Sequence, residues 1–345
     1  MSALTLASID SSAKIRIRSA LFQISHECNF RCTHCSQDAP YAARTASSII
    51  SYENAVRTID VLHSRGLQRI RFTGGEPLLH PNIDALVERS ASLGISTSLV
   101  TNGSRLRHHR EAFAELAVTS VWLSVYGCDE DSYRAMSGIA FAPQLLESVE
   151  YLTRHNVQVG LYCPIDLSAK QGHFPLVRQL YSHGARRVKF IQLMEQGRHE
   201  SADSKVSPAH SVSPLSDSIC LISKFASAVP GMKIQISIRS GQRDVFARSG
   251  YDVQPDLTCA AGREDNWAVD PLGQLYSCCL ALPKRDDSQS TTLPSATKPI
   301  KWQRPHDSRD DEDNSCFALP LYPLGSDTTA FACPLQFAEL RPVLD

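Results

Sequence analysis

The strongest constraint on the fold is an alternation of short apolar segments with amphipathic segments between residues 21 and 193. The short segments have the length of strands, whereas the longer ones repeat apolar residues at helical spacing and several end at glycine. This alternation predicts an α/β domain with a parallel sheet and right-handed crossovers. Its six units are fewer than the eight that close a barrel. The predicted strands are 21–25, 69–73, 95–101, 118–125, 157–165 and 187–193, and the predicted helices are 51–66, 82–94, 107–116, 142–155 and 174–184.

The composition allows one large domain with an appendage, or two domains. The chain has 345 residues, of which 42% are hydrophobic, so it can bury a substantial core. Its formal net charge is −1 and it has no long basic stripe, which argues against nucleic acid as a partner. We find no apolar signal segment and no run of transmembrane length, so we expect a cytoplasmic protein without a membrane partner. In that reducing compartment its eleven cysteines are expected to be ligands or free thiols.

Three of these cysteines, Cys28, Cys32 and Cys35, follow the first predicted strand with the spacing C-x3-C-x2-C. Three thiolates this close together suit an iron–sulfur cluster or a zinc ion. A structural zinc ion takes four protein ligands, and no fourth cysteine is nearby, although His26 and His34 could complete such a site. A cubane cluster held by three cysteines instead leaves one iron open to a small molecule.

The spacing of these cysteines resembles the signature of the radical S-adenosylmethionine (radical SAM) enzymes. The resemblance implies an open, partial (β/α)6 TIM-like barrel, in agreement with the six predicted units. It also implies a 4Fe-4S cluster whose open iron binds the amine and the carboxylate of S-adenosylmethionine. One electron, supplied through a donor such as flavodoxin or ferredoxin, then releases a 5′-deoxyadenosyl radical that abstracts hydrogen from a substrate C–H bond.

The next three strand ends carry candidate cofactor-binding residues, because ligands of parallel α/β folds lie at the carboxyl ends of strands. Gly74, Gly75 and Glu76 follow the second predicted strand in the sequence GGEP, whose glycines allow close backbone approach to a ligand. GGEP resembles the second motif of the superfamily, which implies contact with the methionyl amine. Asn102 and Ser124 lie at the ends of the third and fourth strands. They are either turn and cap residues or, by the resemblance, ligands of the ribose and of the methionyl carboxylate.

A second set of cysteines begins at Cys259. The sequence DPLG between the apolar segments 267–269 and 275–276 predicts a hairpin that brings Cys259 and Cys278 towards one end of a ribbon. This arrangement resembles the opening of the auxiliary-cluster domains called SPASM and twitch. Whether Cys278 or its neighbour Cys279 is the ligand stays open. The predicted ligands of one auxiliary 4Fe-4S cluster are Cys259, Cys278, Cys316 and Cys333.

These features predict four regions in the chain. Residues 1–17 form a flexible N-terminus, and residues 18–198 form the radical SAM partial barrel. Residues 199–250 form a linker with a bridging helix and strand, and residues 251–345 form the auxiliary-cluster domain. Within the last region, the polar and charged stretch 283–315 is expected to be a mobile loop.

The sequence thus predicts a radical SAM enzyme of the oxidoreductase type. Because the auxiliary domain resembles those of peptide maturases, maturation of a ribosomally made peptide or another natural product is the first hypothesis. About 20 residues precede the first predicted strand, too few for a domain that grips a leader peptide, which weakens the peptide hypothesis without excluding it. The alternative is a dehydrogenase, epimerase or decarboxylase of a small molecule such as a sugar or cyclitol. A non-catalytic metal-binding protein is a remote third hypothesis, since it does not explain GGEP in register with the cysteines.

Overall fold

The structure is a computed structural model that describes most of the first 193 residues and parts of the rest. Its described ranges are 16–35, 49–127, 130–140, 143–165, 173–193, 212–239 and 267–276, with the backbone of short strands at 4–5, 252–256, 317–318, 331–332 and 335–341. The strands are β1 (Leu4–Thr5), β2 (Ser19–Ser25), β3 (Arg69–Gly74), β4 (Ser96–Thr101), β5 (Ser120–Ser124), β6 (Gln158–Pro164), β7 (Arg187–Ile191), β8 (Lys233–Arg239), β9 (Asp252–Asp256), β10 (Trp267–Val269), β11 (Gln274–Tyr276), β12 (Phe317–Ala318), β13 (Phe331–Ala332) and β14 (Leu335–Arg341). The helices are α1 (Tyr52–Ser64), α2 (Ile83–Ser92), α3 (Arg110–Glu115), α4 (Glu130–Ser137), α5 (Gln144–Arg154), α6 (Phe174–Ser182) and α7 (Val212–Ala226).

A parallel sheet forms the centre of the molecule. Within the described residues, twelve strands make one open sheet in the order β1-β11-β10-β2-β3-β4-β5-β6-β7-β8-β14-β9, and β12 and β13 form a separate pair. Strands β2 to β8 lie side by side in chain order, and each neighbouring pair is parallel. Parallel neighbours need crossover connections, which the helices supply. The carboxyl ends of these strands therefore meet at one edge of the sheet.

The helices begin and end at local sequence signals. The side chain of Ser51 accepts a hydrogen bond from the backbone N–H of Asn54 at 3.2 Å and so caps α1. The buried residues of α1 include Ala55, Ile59 and Leu62, which share one face at helical spacing. No helix among the described residues has the length and the apolar character needed to cross a membrane.

The two faces of the parallel strands differ in burial. In β3, Ile70 and Phe72 are buried, whereas Arg71 and Thr73 are partly exposed. Strands β4 and β7 alternate in the same way. Successive side chains of a strand point to opposite faces, so one face packs into the apolar core with the helices and the other stays open. We call the second face the open face of the sheet.

The structure confirms the predicted α/β partial barrel with its six predicted strands and adds a seventh parallel unit. Strand β8 pairs along the whole of β7 in parallel register, and its Ile234 and Ile236 side chains are buried. Helix α7 and β8 lie in the stretch predicted to contain a bridging helix and strand. The sequence signal for a seventh unit was weak because a polar connection separates it from the sixth unit. Helix α4 was not predicted, since its eight residues are short for a periodic pattern.

Strands from the C-terminal region extend the sheet at both edges. The predicted hairpin is present as β10 and β11, and the Asp270 side chain accepts a hydrogen bond from the backbone of Leu272 at 2.9 Å in its turn. Strand β10 pairs in parallel with β2, and β14 pairs antiparallel with β8. Strand β1, within the N-terminus predicted to be flexible, pairs with β11. The division of the chain into four regions stays a prediction.

Ile236 tests whether β8 is part of the barrel core. Its side chain is fully buried, so Ile236→Ala is expected to lower the free energy of unfolding by about 2–5 kcal/mol. The matched control is Gln235→Ala at the preceding, partly exposed position, for which we expect a loss below about 1 kcal/mol. Urea unfolding followed by circular dichroism measures both losses. Equal losses for the two variants would contradict the assignment of β8 to the core.

Candidate functional site

The three motif cysteines lie in the loop that follows β2, at the carboxyl edge of the sheet. Cys28 and Cys32 are buried, Cys35 is partly exposed, and none of the three forms a disulfide. Burial raises the pKa of the Cys28 thiol to about 12, with smaller contributions from the nearby Glu76, Cys32 and Cys35 side chains. The Cys28 thiol is therefore protonated at neutral pH, and loading of a metal cofactor must release this proton.

The three cysteine thiols of this loop are a donor set that an iron–sulfur cluster takes. No group of three or more histidine, cysteine, aspartate or glutamate side chains in the described part of the chain is arranged to hold one metal ion. The thiolates of a 4Fe-4S cluster bind different iron atoms, so its ligands need not converge on one point. The cluster held by the three cysteines, and the alternative of a zinc ion that also uses His26 or His34, stay predictions.

Helix α4 holds the cysteine loop from one side. Its last carbonyl groups, those of Met136 and Ser137, accept hydrogen bonds from the backbone N–H groups of Thr33 at 3.0 Å and Arg31 at 2.9 Å. Gly138 follows the helix with a φ of +77°, and a Cβ atom there would lie 2.9 Å from the Cβ of Arg31. The helix and its glycine stop therefore fix the backbone on both sides of the second motif cysteine, Cys32, although the sequence did not predict this contact.

The GGEP segment holds the start of the cysteine loop from the other side. The backbone N–H of Gly75 donates to the carbonyl of Ser25 at 2.8 Å, and that of Glu76 donates to the carbonyl of Glu27 at 2.7 Å. A Cβ atom at Gly74 would lie 2.2 Å from the Ser25 oxygen, and one at Gly75 would lie 2.1 Å from the Glu27 oxygen. Such distances leave no space for a side chain. Both glycines are needed for the close approach of two backbone segments at the site.

The Glu76 carboxylate is fully buried and accepts three hydrogen bonds from the protein. The Thr101 hydroxyl donates at 2.6 Å and the Leu78 N–H at 3.0 Å to one oxygen, and the Asn102 N–H donates at 2.7 Å to the other. Burial raises the pKa of Glu76 to about 7, although these three hydrogen bonds lower it. The carboxylate thus ties the end of β3 to the end of β4. Its predicted contact with the methionyl amine stays a prediction.

The Asn102 side chain is directed to the cysteine loop. Its amide nitrogen donates to the side-chain oxygen of Asn29 at 2.9 Å and lies 3.8 Å from the Cys28 sulfur. Its oxygen accepts from the backbone of Ser104 at 2.9 Å, and the Ser104 hydroxyl accepts from Asn29 at 2.9 Å. Asn102 therefore forms a turn, as one of the two sequence interpretations expected, and also contacts the first motif cysteine. Its contact with a ribose stays a prediction.

The end of β5 contributes Ser124 and, two residues later, Tyr126. The phenol of Tyr126 is hydrogen-bonded to the side chains of Ser124 and Cys32, and burial raises its pKa well above the usual value. Its ring packs at 5.1 Å from the His34 ring and at 5.5 Å from the Tyr133 ring, between centroids. Tyr126 and Tyr133 were not predicted as site residues. One signal was available in the sequence. Tyr126 lies two residues after Ser124, so in an extended segment the two side chains are expected on the same face.

The open face of the sheet below these strand ends is basic and aromatic. The Trp122 indole fills the space above Gly160, where a Cβ atom would be 2.5 Å from the ring, and stacks on Tyr162 with centroids 4.8 Å apart. The indole Nε1 is buried without a hydrogen-bond partner among the described residues. Arg71 and Lys189 are partly exposed on alternating positions of β3 and β7. The described residues of β2 to β8 include no aspartate or glutamate.

The second cysteine set lies outside the described residues. This applies to every predicted ligand of the auxiliary cluster, to the neighbour Cys279 and to the segment 283–315 that was expected to be mobile. The auxiliary cluster therefore stays a prediction. These ligands are Cys259, Cys278, Cys316 and Cys333.

Replacement of Glu76 tests whether its carboxylate holds the two strand ends together. Glu76→Ala leaves three donors, those of Leu78, Thr101 and Asn102, without an acceptor, so we expect a loss of about 3–5 kcal/mol in the free energy of unfolding. The matched control Glu76→Gln keeps one acceptor oxygen and is expected to lose clearly less. Urea unfolding of both variants at one pH measures the difference. If the two variants are equally stable, the carboxylate does not have this role.

Comparisons with known proteins agree with this geometry. A profile described as the radical SAM superfamily matches residues 22–165. The GTP 3′,8-cyclase of Aliarcobacter butzleri is 23% identical over 175 residues, which are 50% of this chain and 54% of that protein. The GTP 3′,8-cyclase of Chlorobaculum tepidum is 36% identical over 117 residues, which are 33% of this chain and 34% of that protein. The chain thus spans about half the length, or less, of curated relatives that it matches.

Solved structures share the fold at low sequence identity. Streptococcus suis SuiB bound to S-adenosylmethionine has a TM-score of 0.56 and 13% identity, over 77% of this chain and 61% of that chain. Native anSMEcpe with bound AdoMet has a TM-score of 0.56 and 16% identity, over 77% of this chain and 75% of that chain. The segment 22–165 contains the three cysteines, GGEP and the strand ends described above. Over this segment, the chain is similar to the radical SAM superfamily.

Proposed function

We propose that the chain cleaves S-adenosylmethionine reductively at a 4Fe-4S cluster held by Cys28, Cys32 and Cys35, and abstracts a hydrogen atom from a substrate C–H bond. When bound, the cluster supplies one electron to the sulfonium, which separates into methionine and a 5′-deoxyadenosyl radical, and this radical becomes 5′-deoxyadenosine as it takes the hydrogen atom. The observation that carries the proposal is the position of the three cysteines. They lie in a loop docked against the carboxyl ends of β3 and β4, where parallel α/β folds bind ligands.

The residues around the loop suit the binding of S-adenosylmethionine. Gly74 and Gly75 are partly exposed and offer backbone groups without side chains beside the cysteines. The Ser124 hydroxyl, on the same edge, is a candidate for the methionyl carboxylate. Glu76 and Asn102 are buried, so we infer that their main contribution is to hold this edge in place. Contacts of Glu76 with the methionyl amine and of Asn102 with the ribose would come in addition to this structural role.

The first substrate hypothesis is a peptide or another natural product. It rests on the resemblance of the segment around Cys259 to SPASM and twitch domains. SuiB, with which this chain shares a fold, has been crystallised bound to the precursor peptide SuiA, although at 12% identity the likeness extends only to the fold. An auxiliary cluster on the C-terminal cysteines would accept an electron from the substrate radical or bind the substrate.

The second hypothesis, a small molecule, is favoured by the open face of the sheet. Its charged side chains on β2 to β8 are all basic, and the stacked Trp122 and Tyr162 rings form an aromatic surface beside them. Arg71 and Lys189 would attract an anionic group, and the unpartnered Trp122 N–H would donate to an oxygen acceptor. The curated relatives are named as cyclases of GTP, an anionic small molecule. A dehydrogenase, epimerase or decarboxylase of a substituted sugar or cyclitol also fits this hypothesis.

The reaction needs an external electron, which we assign to a flavodoxin or ferredoxin. We place the protein in the cytoplasm, where such donors and a reduced thiol pool are available. Neither nucleic acid nor a membrane is part of this proposal, since the formal net charge is −1 and the sequence has no long basic stripe.

The reaction itself is tested by assay for 5′-deoxyadenosine. With anaerobically reconstituted protein, dithionite and S-adenosylmethionine, we expect 5′-deoxyadenosine and methionine in equal amounts, because one cleavage yields one of each. Cys32→Ala removes one cluster ligand and is expected to abolish both products. The control Cys220→Ala replaces a cysteine of α7, outside the site, and is expected to retain them. No product from cluster-loaded wild-type protein, with candidate peptides and anionic small molecules added, would overturn the proposed function.

The auxiliary cluster is tested by iron and sulfide content. In the triple variant Cys28→Ala/Cys32→Ala/Cys35→Ala we expect about four irons per chain to remain, as one cubane requires. Electron paramagnetic resonance of the reduced variant should then show one 4Fe-4S signal. Iron close to zero in the triple variant would mean that the C-terminal cysteines bind no cluster, and the protein would be a one-cluster enzyme.

A further inference from the structure

We propose that Asn102 and Tyr126 set the reduction potential of the cluster by donating hydrogen bonds to two of its three cysteine ligands. The inference rests on the proposed cluster at Cys28, Cys32 and Cys35, and gives two neighbouring strand ends a role beyond binding of S-adenosylmethionine. In this proposal, Asn102 donates to the Cys28 sulfur and Tyr126 donates to the Cys32 sulfur. Both are positioning residues, since they act through the sulfur ligands.

The first donor reaches Cys28 from the end of β4. The Asn102 amide nitrogen lies 3.8 Å from the Cys28 sulfur, within the range of an N–H···S hydrogen bond. The same amide donates to Asn29 at 2.9 Å, and its oxygen accepts from the Ser104 backbone, so the orientation of the amide is determined at both ends. The backbone N–H of Phe30 donates to the same sulfur at 3.3 Å. Cys28 therefore accepts one donor from its own loop and one from a distant strand.

The second donor reaches Cys32 from the end of β5. The Tyr126 phenol is hydrogen-bonded to the Cys32 side chain. A cluster-bound thiolate carries no proton, so the phenol O–H is the donor in this bond. Phe30, His34 and Tyr133 surround the Tyr126 ring at centroid distances of 6.3, 5.1 and 5.5 Å. The ring is thus held in an apolar setting, where a hydrogen bond to a charged sulfur is stronger than in water.

The direction of the effect follows from the charge of the sulfurs. Reduction adds negative charge to the cluster and its thiolates, and a hydrogen-bond donor stabilises the more negative state. Hydrogen bonds to the sulfurs are among the factors that set the potentials of iron–sulfur clusters. Removal of either donor should therefore make the midpoint potential more negative. A more negative potential makes the cluster harder to reduce by its donor.

The alternative role for Asn102, a contact with the ribose, predicts a different result. Loss of a ribose contact would weaken the binding of S-adenosylmethionine. It would not change the midpoint potential of the cluster measured without S-adenosylmethionine. The measurement is therefore made without S-adenosylmethionine. The relevant signal is the one that disappears in the variant without Cys28, Cys32 and Cys35, so that an auxiliary cluster does not confuse the result.

The variants remove each donor with little other change. Tyr126→Phe removes only the phenol oxygen. Asn102→Ser keeps a short oxygen acceptor for the Ser104 N–H, and its side chain is one atom shorter, so it does not reach the sulfur. The control Ser104→Ala removes the hydroxyl that accepts from Asn29 in the same network and leaves both sulfur donors in place. The control Tyr151→Phe makes the same chemical change as Tyr126→Phe on α5, away from the loop.

Redox titration of the anaerobic full-length chain, followed by electron paramagnetic resonance, gives the midpoint potentials. We expect each donor variant to hold the wild-type amount of iron. Its midpoint potential should be about 59 mV more negative than that of the wild type, which is a tenfold change in the equilibrium constant for one-electron reduction. Both controls should keep the wild-type potential. Unchanged potentials in the donor variants, or an equal shift in Ser104→Ala, would overturn the inference and leave the proposed function standing. Wild-type protein that binds no iron at Cys28, Cys32 and Cys35 would overturn both.

Discussion

The site depends on a carboxylate that has no access to solvent. Glu76 brings the ends of β3 and β4 together through the hydroxyl of Thr101 and two backbone N–H groups. A buried carboxylate is stable only when its oxygens are hydrogen-bonded, so the three donors and the acceptor determine one another's positions. One of these donors is the backbone of Asn102, whose side chain reaches the cysteine loop. The position of Cys28 is thus linked, through Asn102 and Glu76, to the packing of β3 against β4.

Much of the fold was predictable because its signals are local. Apolar runs of strand length and helices with serine starts and glycine stops identified six units, and DPLG identified the hairpin. The partners of Asn102 were not predictable, since its contact with Asn29 joins residues far apart in the chain and an asparagine after a strand fits several roles. Helix α4 was missed because it is short. The pairing of β10 with β2 is a long-range parallel contact that no local pattern encodes.

Stability and chemistry use opposite faces of the same strands. Ile70 and Phe72 pack into the core, whereas Arg71 between them lies on the open face and donates to Ser98 at 3.4 Å. Because alternate residues serve the two purposes, the open face can change its charge and its aromatic residues with little effect on the core. Under the proposed function, the cysteine loop and GGEP would carry the chemistry shared with the superfamily, and the open face would contact the substrate.

The hydrogen bonds from Arg31 and Thr33 to the end of α4 have a consequence for assembly of the cofactor. Both bonds join backbone groups of the polypeptide, so they reduce the conformational entropy of this loop as the chain folds. Small zinc domains, in contrast, fold only around their metal. Under the proposed function, the cluster ligands lie on a loop that α4 holds in place, with Cys35 at its accessible side and Cys28 and Cys32 buried.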